Sequence, residues 1–354
     1  MRSGFVQRGG GLSVLSGLLA RRIARWAGSS GELCKFFHLD KRGGPAETLA
    51  PIQKSSCELK MEISMKFSRV VLHLSLVMAL VVGTAAAQER GDGKKARYLA
   101  LGDSVAFGFI TQAGFEYVNP ENFIGYPEYA GRMLHFRTTN AACPGETTGG
   151  FLSLAAVDNG CNAFRAEFPL HVTYLSSQLD FATTFLSTHR DVRLVTIDLG
   201  ANDAFLLEDA CASAANPQAC IEAGFPGLAA TVGGNMQTIL ADLRATGYDG
   251  VIVVVNYYSL DYSDASQTAL TQGLNQALSA PAPAYGAVVA DVFSAFEAVA
   301  SSHFGGKTCN AGLLNVNPQN QSLCDVHPTQ TGQRLMGQTV VHAYIAALGE
   351  DHDH

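Results

Sequence analysis

The chain has 354 residues, of which 47% are hydrophobic and 16% are charged, and its formal net charge is −7. The negative charge is concentrated in residues 88–354, where 12 Lys and Arg stand against 26 Asp and Glu and the net charge is −14. Nucleic acid and anionic membrane surfaces are poor partners for such a surface, so we expect no nucleic-acid partner.

The first 64 residues differ in composition from the rest of the chain. They are rich in Arg and Gly, hold ten Lys or Arg against five Asp or Glu, and show no recurring apolar face. We therefore expect residues 1–64 to be a non-native or disordered leader. Their first 31 residues contain five Arg, including Arg21, Arg22 and Arg25, and no acid, a composition that also fits a transit peptide.

A second start signal follows at Met65. A basic stretch leads into an apolar run (70–82) and then into three alanines (85–87), which is the order of a secretory signal peptide. We predict that residues 65–87 are such a signal and that the protein is secreted or periplasmic. The competing interpretation is a membrane anchor, because the run approaches the ~18 residues that span a bilayer. The three alanines that follow the run are typical of a signal-peptide cleavage site, so we expect no stable membrane anchor.

Short apolar runs alternate with helical patterns along residues 88–348. The apolar runs, which are typical of strands buried on both faces, lie at 97–103, 192–200, 250–259 and 286–293, with a weaker one at 137–143. Apolar residues at helical spacing occupy 126–136, 177–189, 235–247 and 268–278. This alternation predicts one α/β domain with a parallel sheet, whose ligands bind at the carboxyl ends of the strands. Residues 349–354 are expected to form a disordered tail.

Six cysteines lie in the exported part, and an even count behind an export signal indicates three disulfides. They are Cys143, Cys161, Cys211, Cys220, Cys309 and Cys324. Six cysteines allow fifteen pairings. We favour the sequential one, 143 with 161, 211 with 220 and 309 with 324, because it closes the shortest loops. No Cys or His spacing indicates zinc, and we predict no metal site.

The triplet Gly-Asp-Ser directly follows the first predicted strand, at the edge where the fold argument places the active site. Ser104 could be a nucleophile or only a helix cap, since both Asp and Ser cap helices. A serine nucleophile needs a base to take its proton. His327 is the candidate, because it lies in a loop, is followed by Pro328 and precedes a helical pattern.

Two further residues could donate hydrogen bonds to the oxyanion that forms when an ester carbonyl is attacked. Asn202 follows the predicted strand 192–200 and has an uncharged side-chain amide. Gly145 has no side chain to keep a substrate oxygen away from its backbone N–H. Each residue also has an ordinary interpretation, Asn202 as a helix cap and Gly145 as a turn residue.

Together these elements resemble the SGNH hydrolase family, also called GDSL esterases and lipases, in the same order and over nearly all of the domain, from about Ala96 to Leu348. The resemblance implies a flavodoxin-like three-layer αβα sandwich with a five-stranded parallel sheet and no cofactor. It also implies Ser104 as nucleophile, His327 as base, and an oxyanion hole of the Ser104 N–H, the Gly145 N–H and the Asn202 side chain. Secreted bacterial members carry three sequential disulfides, which agrees with the favoured pairing.

The chain departs from the family pattern in the third member of the triad. The usual aspartate lies three residues before the histidine, whereas Asp325 lies two before His327 and Cys324 occupies the third position. In an extended segment the carboxylate has to turn back on the ring, which a turn would allow. Either Asp325 or a backbone carbonyl near Cys324 could orient the histidine.

Two further features accompany the motifs: a pair of aspartates and a segment rich in aromatic residues. Asp103 and Asp203 are interpreted as structural residues that hold their loops through hydrogen bonds to the backbone. The aromatic residues of 105–129 could form an acyl-binding wall or pack a long loop.

The function predicted from these residues is that of a secreted, monomeric serine esterase or lipase that acts on a small-molecule or lipid ester. The alternatives are a carbohydrate O-acetylesterase or thioesterase of the same fold, and a non-catalytic binding protein on a hydrolase scaffold. Hydrolysis of esters of graded acyl length would separate an esterase or lipase from an O-acetylesterase or thioesterase. Loss of a site residue would indicate a non-catalytic binding protein.

Overall fold

The computed structural model describes residues 95–320 and 324–350. The predicted leader (1–64) and signal peptide (65–87) lie outside the described residues. The predicted tail begins inside a helix, because the last helix runs through Glu350, two residues past the expected end of the domain.

Five strands form a single parallel sheet in the order β2-β1-β3-β4-β5. They are β1 (Arg97–Gly102), β2 (Arg137–Asn140), β3 (Val192–Asp198), β4 (Val251–Val255) and β5 (Ala287–Ala290). The strand order reverses between β1 and β3, which opens a crevice at their carboxyl ends. The predicted α/β fold with a five-stranded parallel sheet is confirmed.

Ten α-helices are described around and between these strands. They are α1 (Ser104–Phe107), α2 (Tyr126–Leu134), α3 (Thr148–Leu152), α4 (Cys161–Glu167), α5 (Gln178–Thr188), α6 (Ala201–Cys211), α7 (Pro217–Ala245), α8 (Ala265–Ser279), α9 (Val292–His303) and α10 (Gln330–Glu350). Helix α10 packs against α2, α9 and strands β4 and β5, whereas α7 packs against α3, α5, α6 and α8. None of the helices in the described ranges is both long and apolar enough to cross a membrane.

Side-chain caps explain where several helices begin. Ser177, Asn216, Asp264 and Asp291 each accept a hydrogen bond from a backbone N–H in the first turn of the following helix. Asp291 also ends β5 earlier than predicted. The apolar pattern predicts a strand over 286–293, but the chain enters α9 at Val292. Helix α9 was absent from the sequence prediction for this reason.

Strands β6 (Leu314–Val316) and β7 (Cys324–Pro328) form an antiparallel pair outside the main sheet. No strand was predicted here, because strands of three and five residues are too short to show a periodic pattern. Strand β7 carries Asp325 and His327, and Pro328 ends it. The base predicted from the sequence therefore lies on a strand, rather than in a loop.

Three disulfides join the sequential cysteine pairs. Cys143 bonds to Cys161, Cys211 to Cys220 and Cys309 to Cys324. The first follows β2, the second joins the end of α6 to α7, and the third anchors the start of β7.

Candidate active site

Ser104 is the first residue of α1 and directly follows β1 at the carboxyl edge of the sheet. The chain turns sharply here: Gly102 has φ +147°, and a Cβ on it would lie 2.5 Å from the carbonyl oxygen of Asp198. Asp103 caps α1 by accepting from the N–H of Val105. The Gly-Asp-Ser triplet thus forms the turn that brings the Ser104 hydroxyl to the sheet edge, and capping is done by Asp103.

His327 lies across the sheet edge with its ring against the Ser104 hydroxyl. Its Nε2 is 3.0 Å from Ser104 Oγ, and its Nδ1 is 2.9 Å from Asp325 Oδ1. An ionised carboxylate can only accept a hydrogen bond, so the hydrogen must be on His327 Nδ1. His327 Nε2 is then free to accept from the Ser104 hydroxyl. The structure thus brings Ser104, His327 and Asp325 into one hydrogen-bonded chain.

The two-residue spacing of Asp325 and His327 places both side chains on one face of β7. Asp325 Oδ1 accepts from the backbone N–H of His327 at 3.2 Å as well as from the ring. An extended strand therefore supplies the geometry for which the sequence suggested a turn. Within the described residues, the groups in hydrogen-bond distance of Nδ1 are the Asp325 carboxylate and the Thr111 hydroxyl, with no carbonyl near Cys324 among them.

The Asp325 carboxyl is buried, and burial alone would raise its pKa. The hydrogen bond and charge of His327 and the hydroxyl of Thr111 outweigh that effect and hold the pKa of Asp325 below its ordinary value. Asp325 is therefore ionised at neutral pH and suited to orient an imidazole and to stabilise its protonated form.

The backbone N–H groups of Ser104 and Gly145 are the predicted backbone donors. Among the described residues, no acceptor takes the N–H of Ser104 or of Gly145. Gly145 has φ +86°, and a Cβ on it would lie 2.4 Å from the carbonyl oxygen of Asn159. Only glycine fits this position without strain, so Gly145 is what allows the loop between β2 and α3 to turn here.

Asn202 lies at the start of α6 with its amide buried and fully hydrogen-bonded. Its Nδ2 donates to Asp103 Oδ2 at 3.2 Å and to the carbonyl oxygen of Glu146 at 3.0 Å. Its Oδ1 accepts from Asn159 at 3.0 Å. The structure thus places Asn202 beside the Gly145 loop, but an oxyanion would have to compete for an amide hydrogen that is already used.

Asp103 belongs to a buried pair of carboxyls at the ends of β1 and β3. It accepts from Val105 N–H, from Asn202 and, at 2.7 Å, from the hydroxyl of Tyr257. The Asp198 carboxyl interacts with the Tyr257 hydroxyl at 3.2 Å and with Asp103, and its Oδ2 has no hydrogen-bond partner among the described residues. Burial raises the pKa of both groups, and the neighbouring Asp103 raises that of Asp198 further. The three donors favour charge on Asp103, so Asp198 holds the proton.

Glu146 lies buried behind the Gly145 loop. Burial raises its pKa to about 8, although Gln178 Nε2 contacts Oε2 at 3.3 Å. Gln178 also accepts from Gly102 N–H and donates to Gly102 carbonyl oxygen, so it links the two loops that carry the free N–H groups. Glu146 lies close to Cys143 and Cys161, but these sulfurs form a disulfide and offer no thiolate to a metal.

The other predicted structural aspartate, Asp203, accepts from the backbone N–H and the hydroxyl of Thr148 at 2.9 and 2.6 Å. It joins the start of α6 to the start of α3. This contact holds the Gly145 loop from its far side.

An apolar cleft opens beside Ser104 between helices α6, α7 and α8. The side chains along it include Ala204, Phe205, Ile221, Phe225, Leu270 and Leu274. The aromatic residues after Ser104 are not part of this cleft. Several of them pack on one another instead, with the ring centroid of Tyr117 5.2 Å from that of Phe109 and 5.4 Å from that of Phe123, whereas Phe115 is exposed.

Three residues of the site were not found from the sequence. Tyr257 follows the carboxyl end of β4, and Glu146 follows the predicted donor Gly145. Their positions in the sequence could therefore have marked them as site residues. Thr111, whose Oγ1 is 3.1 Å from His327 Nδ1, lies in a long loop where no pattern singles it out.

The sequence model of the GDSL-like lipase/acylhydrolase family matches residues 100–335. Among solved structures, phospholipase A1 from Streptomyces albidoflavus is similar at 19% identity and a TM-score of 0.46, covering 72% of this chain and 99% of that one. An extracellular lipase from Streptomyces rimosus has 19% identity, a TM-score of 0.45 and the same coverage. An acetyl xylan esterase from Geobacillus stearothermophilus has 14% identity and a TM-score of 0.43, covering 72% and 94%. No curated protein sequence matches the chain.

Proposed function

The chain belongs to the GDSL-like lipase/acylhydrolase family and is a carboxylic ester hydrolase, and on this premise we propose that it is a secreted serine esterase or lipase acting through an acyl-enzyme on Ser104. The observation that carries this proposal is the hydrogen-bonded chain from Ser104 Oγ to His327 Nε2, at 3.0 Å, and from His327 Nδ1 to Asp325, at 2.9 Å. A hydroxyl in contact with an oriented imidazole is the arrangement that activates a serine nucleophile.

In the proposed reaction, Ser104 Oγ attacks the ester carbonyl while His327 Nε2 takes its proton. The carbon–oxygen bond to the alcohol then breaks, and the proton passes from His327 to the leaving alcohol. A water molecule, deprotonated by the same Nε2, attacks the acyl group and releases the carboxylic acid and free Ser104. None of these steps requires a metal or cofactor.

The negative oxygen of the tetrahedral intermediate would be stabilised by the free N–H groups of Ser104 and Gly145. We assign Asn202 as the third donor, with its hydrogen shared between the oxyanion and its present acceptors. The bond to Asp103 is the longer of the two, so it is the one expected to weaken. This makes Asn202 the least pre-organised of the three donors.

The cleft between α6, α7 and α8 supports an ester with an apolar acyl chain as the substrate. A site specialised for acetyl esters needs no such cleft, so the carbohydrate O-acetylesterase alternative is less favoured. Export is supported by the signal pattern at 65–87 and by three disulfides, which persist in oxidising compartments. The monomeric state remains a prediction.

The test of the mechanism is hydrolysis of p-nitrophenyl esters with acyl chains from acetyl to palmitoyl by the full chain and by Ser104→Ala. We expect the wild-type protein to hydrolyse these esters and Ser104→Ala to lose at least about a thousandfold in kcat, because the nucleophile is gone. Equal activity of both proteins, or no activity on any ester, would contradict the proposal.

The test of the acyl cleft is Ala204→Leu, which adds bulk to the cleft wall on α6. We expect esters longer than butyryl to lose at least about tenfold in kcat/KM, with acetyl ester hydrolysis kept. Ala210→Leu is the matched control, since Ala210 is exposed on the same helix and outside the cleft. A uniform loss over all chain lengths would place the acyl chain elsewhere.

A further inference from the structure

Thr111 contacts the same ring nitrogen of His327 as Asp325 does. Its Oγ1 lies 3.1 Å from Nδ1, while Asp325 Oδ1 lies 2.9 Å from that atom. The single hydrogen on Nδ1 can be shared between the two oxygens, and the hydroxyl keeps its own hydrogen to donate. The hydroxyl is also among the groups that stabilise the Asp325 carboxylate.

The short Asp325 to His327 spacing explains why a second contact is useful. One carboxylate oxygen serves both the backbone N–H and the ring of His327, so both contacts come from the side of β7. Thr111 comes from a different part of the chain, after α1. It can therefore restrain a rotation of the ring that Asp325 alone would permit.

The loop around Thr111 is built to hold this position. The Tyr117 hydroxyl donates to the Ile110 carbonyl oxygen at 2.7 Å and accepts from Ala113 N–H at 3.2 Å, which fixes the backbone on both sides of Thr111. The Phe109 ring lies with its centroid 5.0 Å from that of His327. The Phe109 N–H also donates to the Ser104 carbonyl oxygen at 2.9 Å, so the loop is tied to the nucleophile.

We propose that Thr111 is a positioning residue for His327, and that the aromatic loop after Ser104 holds Thr111 and Phe109 against the imidazole. The proposal rests on the proposed function, in which His327 is the base. It assigns a role to the aromatic segment that the sequence left between an acyl-binding wall and loop packing. Thr111 acts through His327 and does not itself touch the reacting ester.

The variants that test the role of the hydroxyl are Thr111→Val, which removes it at nearly constant volume, and Thr111→Ser, which keeps it. We expect Thr111→Val to lower kcat about five- to tenfold with KM within twofold, because one neutral hydrogen bond is lost. Thr111→Ser should stay within twofold of wild type. Thr238→Val on the exposed face of α7 controls for the substitution itself.

A spectroscopic readout makes the test independent of turnover. The His327 Nδ1 proton should give a low-field NMR resonance that moves in Thr111→Val and stays in place in Thr111→Ser and Thr238→Val. An unchanged resonance, a kcat within twofold in Thr111→Val, or equal losses in the Val and Ser variants would overturn the proposal. Should Thr111→Val fail to fold, the comparison of Thr111→Ala with Thr111→Ser by the same resonance decides.

Ser104→Ala separates failure of this proposal from failure of the proposed function. If Ser104→Ala is inactive and Thr111→Val behaves as wild type, the ester hydrolase mechanism stands and the role of Thr111 is wrong. If Ser104→Ala keeps full activity, the mechanism fails, and the Nδ1 resonance still shows whether Thr111 bonds to the ring.

Discussion

Asp325 and His327 show how a single position in a strand decides whether two side chains can meet. Residues two apart on a strand project to the same face, so the carboxylate of Asp325 reaches both the backbone and the ring of His327. A shift of one position would turn the carboxylate to the opposite face. The spacing that departs from the family pattern is therefore compatible with a hydrogen-bonded triad.

Replacing Asp325 by Ala tests this arrangement. The imidazole would lose its charged partner, and the proton taken from Ser104 would be held less well. We expect kcat/KM to fall by at least about 10²-fold with the fold intact, measured on a short-chain ester and by thermal unfolding. Activity within a few-fold of wild type would exclude Asp325 from the triad.

Glu146 makes the stability of the protein depend on pH. Burial raises its pKa to about 8 in the folded state, so between its ordinary value of 4.5 and pH 8 the folded protein keeps a proton that the unfolded chain releases. Rising pH in this window therefore favours unfolding. Glu128, with a pKa raised by burial to about 7, acts in the same direction.

The prediction is that Glu146→Gln flattens the decline of unfolding free energy between pH 5 and pH 8. The amide cannot ionise, so the contribution of Glu146, at most about 1.4 kcal/mol per pH unit, disappears. Urea unfolding at four pH values in this range measures it. Parallel curves for wild type and Glu146→Gln would show that Glu146 does not titrate in this window.

At the scale of elements, the sequence predicted what burial and spacing dictate. Strands β1, β3 and β4 were found because both faces are covered and most of their residues are apolar and buried. Helix α7 was found only in its second half, since Pro226 and several glycines interrupt the first half. Burial of Val232, Met236 and Leu240 holds the whole helix despite these residues.

The candidate site was predictable where its residues lie next to a strand end. Ser104 and Asn202 follow β1 and β3, and the parallel sheet brings those ends together. The contact of Thr111 with His327 was not predictable, because it joins an irregular loop to a short strand 216 positions away. The burial that raises the pKa of Glu146 comes from packing, which a single sequence does not report.

The Cys309–Cys324 disulfide ties the strand that carries the base to the preceding loop. Replacing both cysteines by Ala should lower the unfolding free energy by about 3 kcal/mol, because the unfolded chain gains freedom. It should also lower kcat on a short ester several-fold, because β7 is less constrained. Replacing Cys211 and Cys220 should reduce stability while leaving that kcat unchanged. Equal kcat losses in the two double variants would refute a local effect on His327.

At the scale of the whole molecule, the formal net charge is −7 for the full chain and −14 for residues 88–354, so either form is repelled by anionic lipid surfaces. Repulsion from anionic headgroups is strong at low ionic strength and is screened within ~8 Å at physiological salt. We expect no co-sedimentation with vesicles rich in anionic phospholipid at low salt. Hydrolysis of a lipid ester dispersed in such vesicles should increase when salt is added. Binding to these vesicles at low ionic strength, lost when salt is added, would contradict this prediction.

The order of the site residues along the chain has a consequence for how the protein is made. The proposed nucleophile, Ser104, lies near the start of the domain, whereas the proposed base, His327, lies on β7. Gln333 of α10 donates to the Val105 carbonyl oxygen and accepts from the Tyr126 N–H. During synthesis, Ser104 therefore exists for more than two hundred residues without a base. On the proposed mechanism, we expect a chain that is still emerging from the ribosome to be inert toward esters until β7 and α10 have docked.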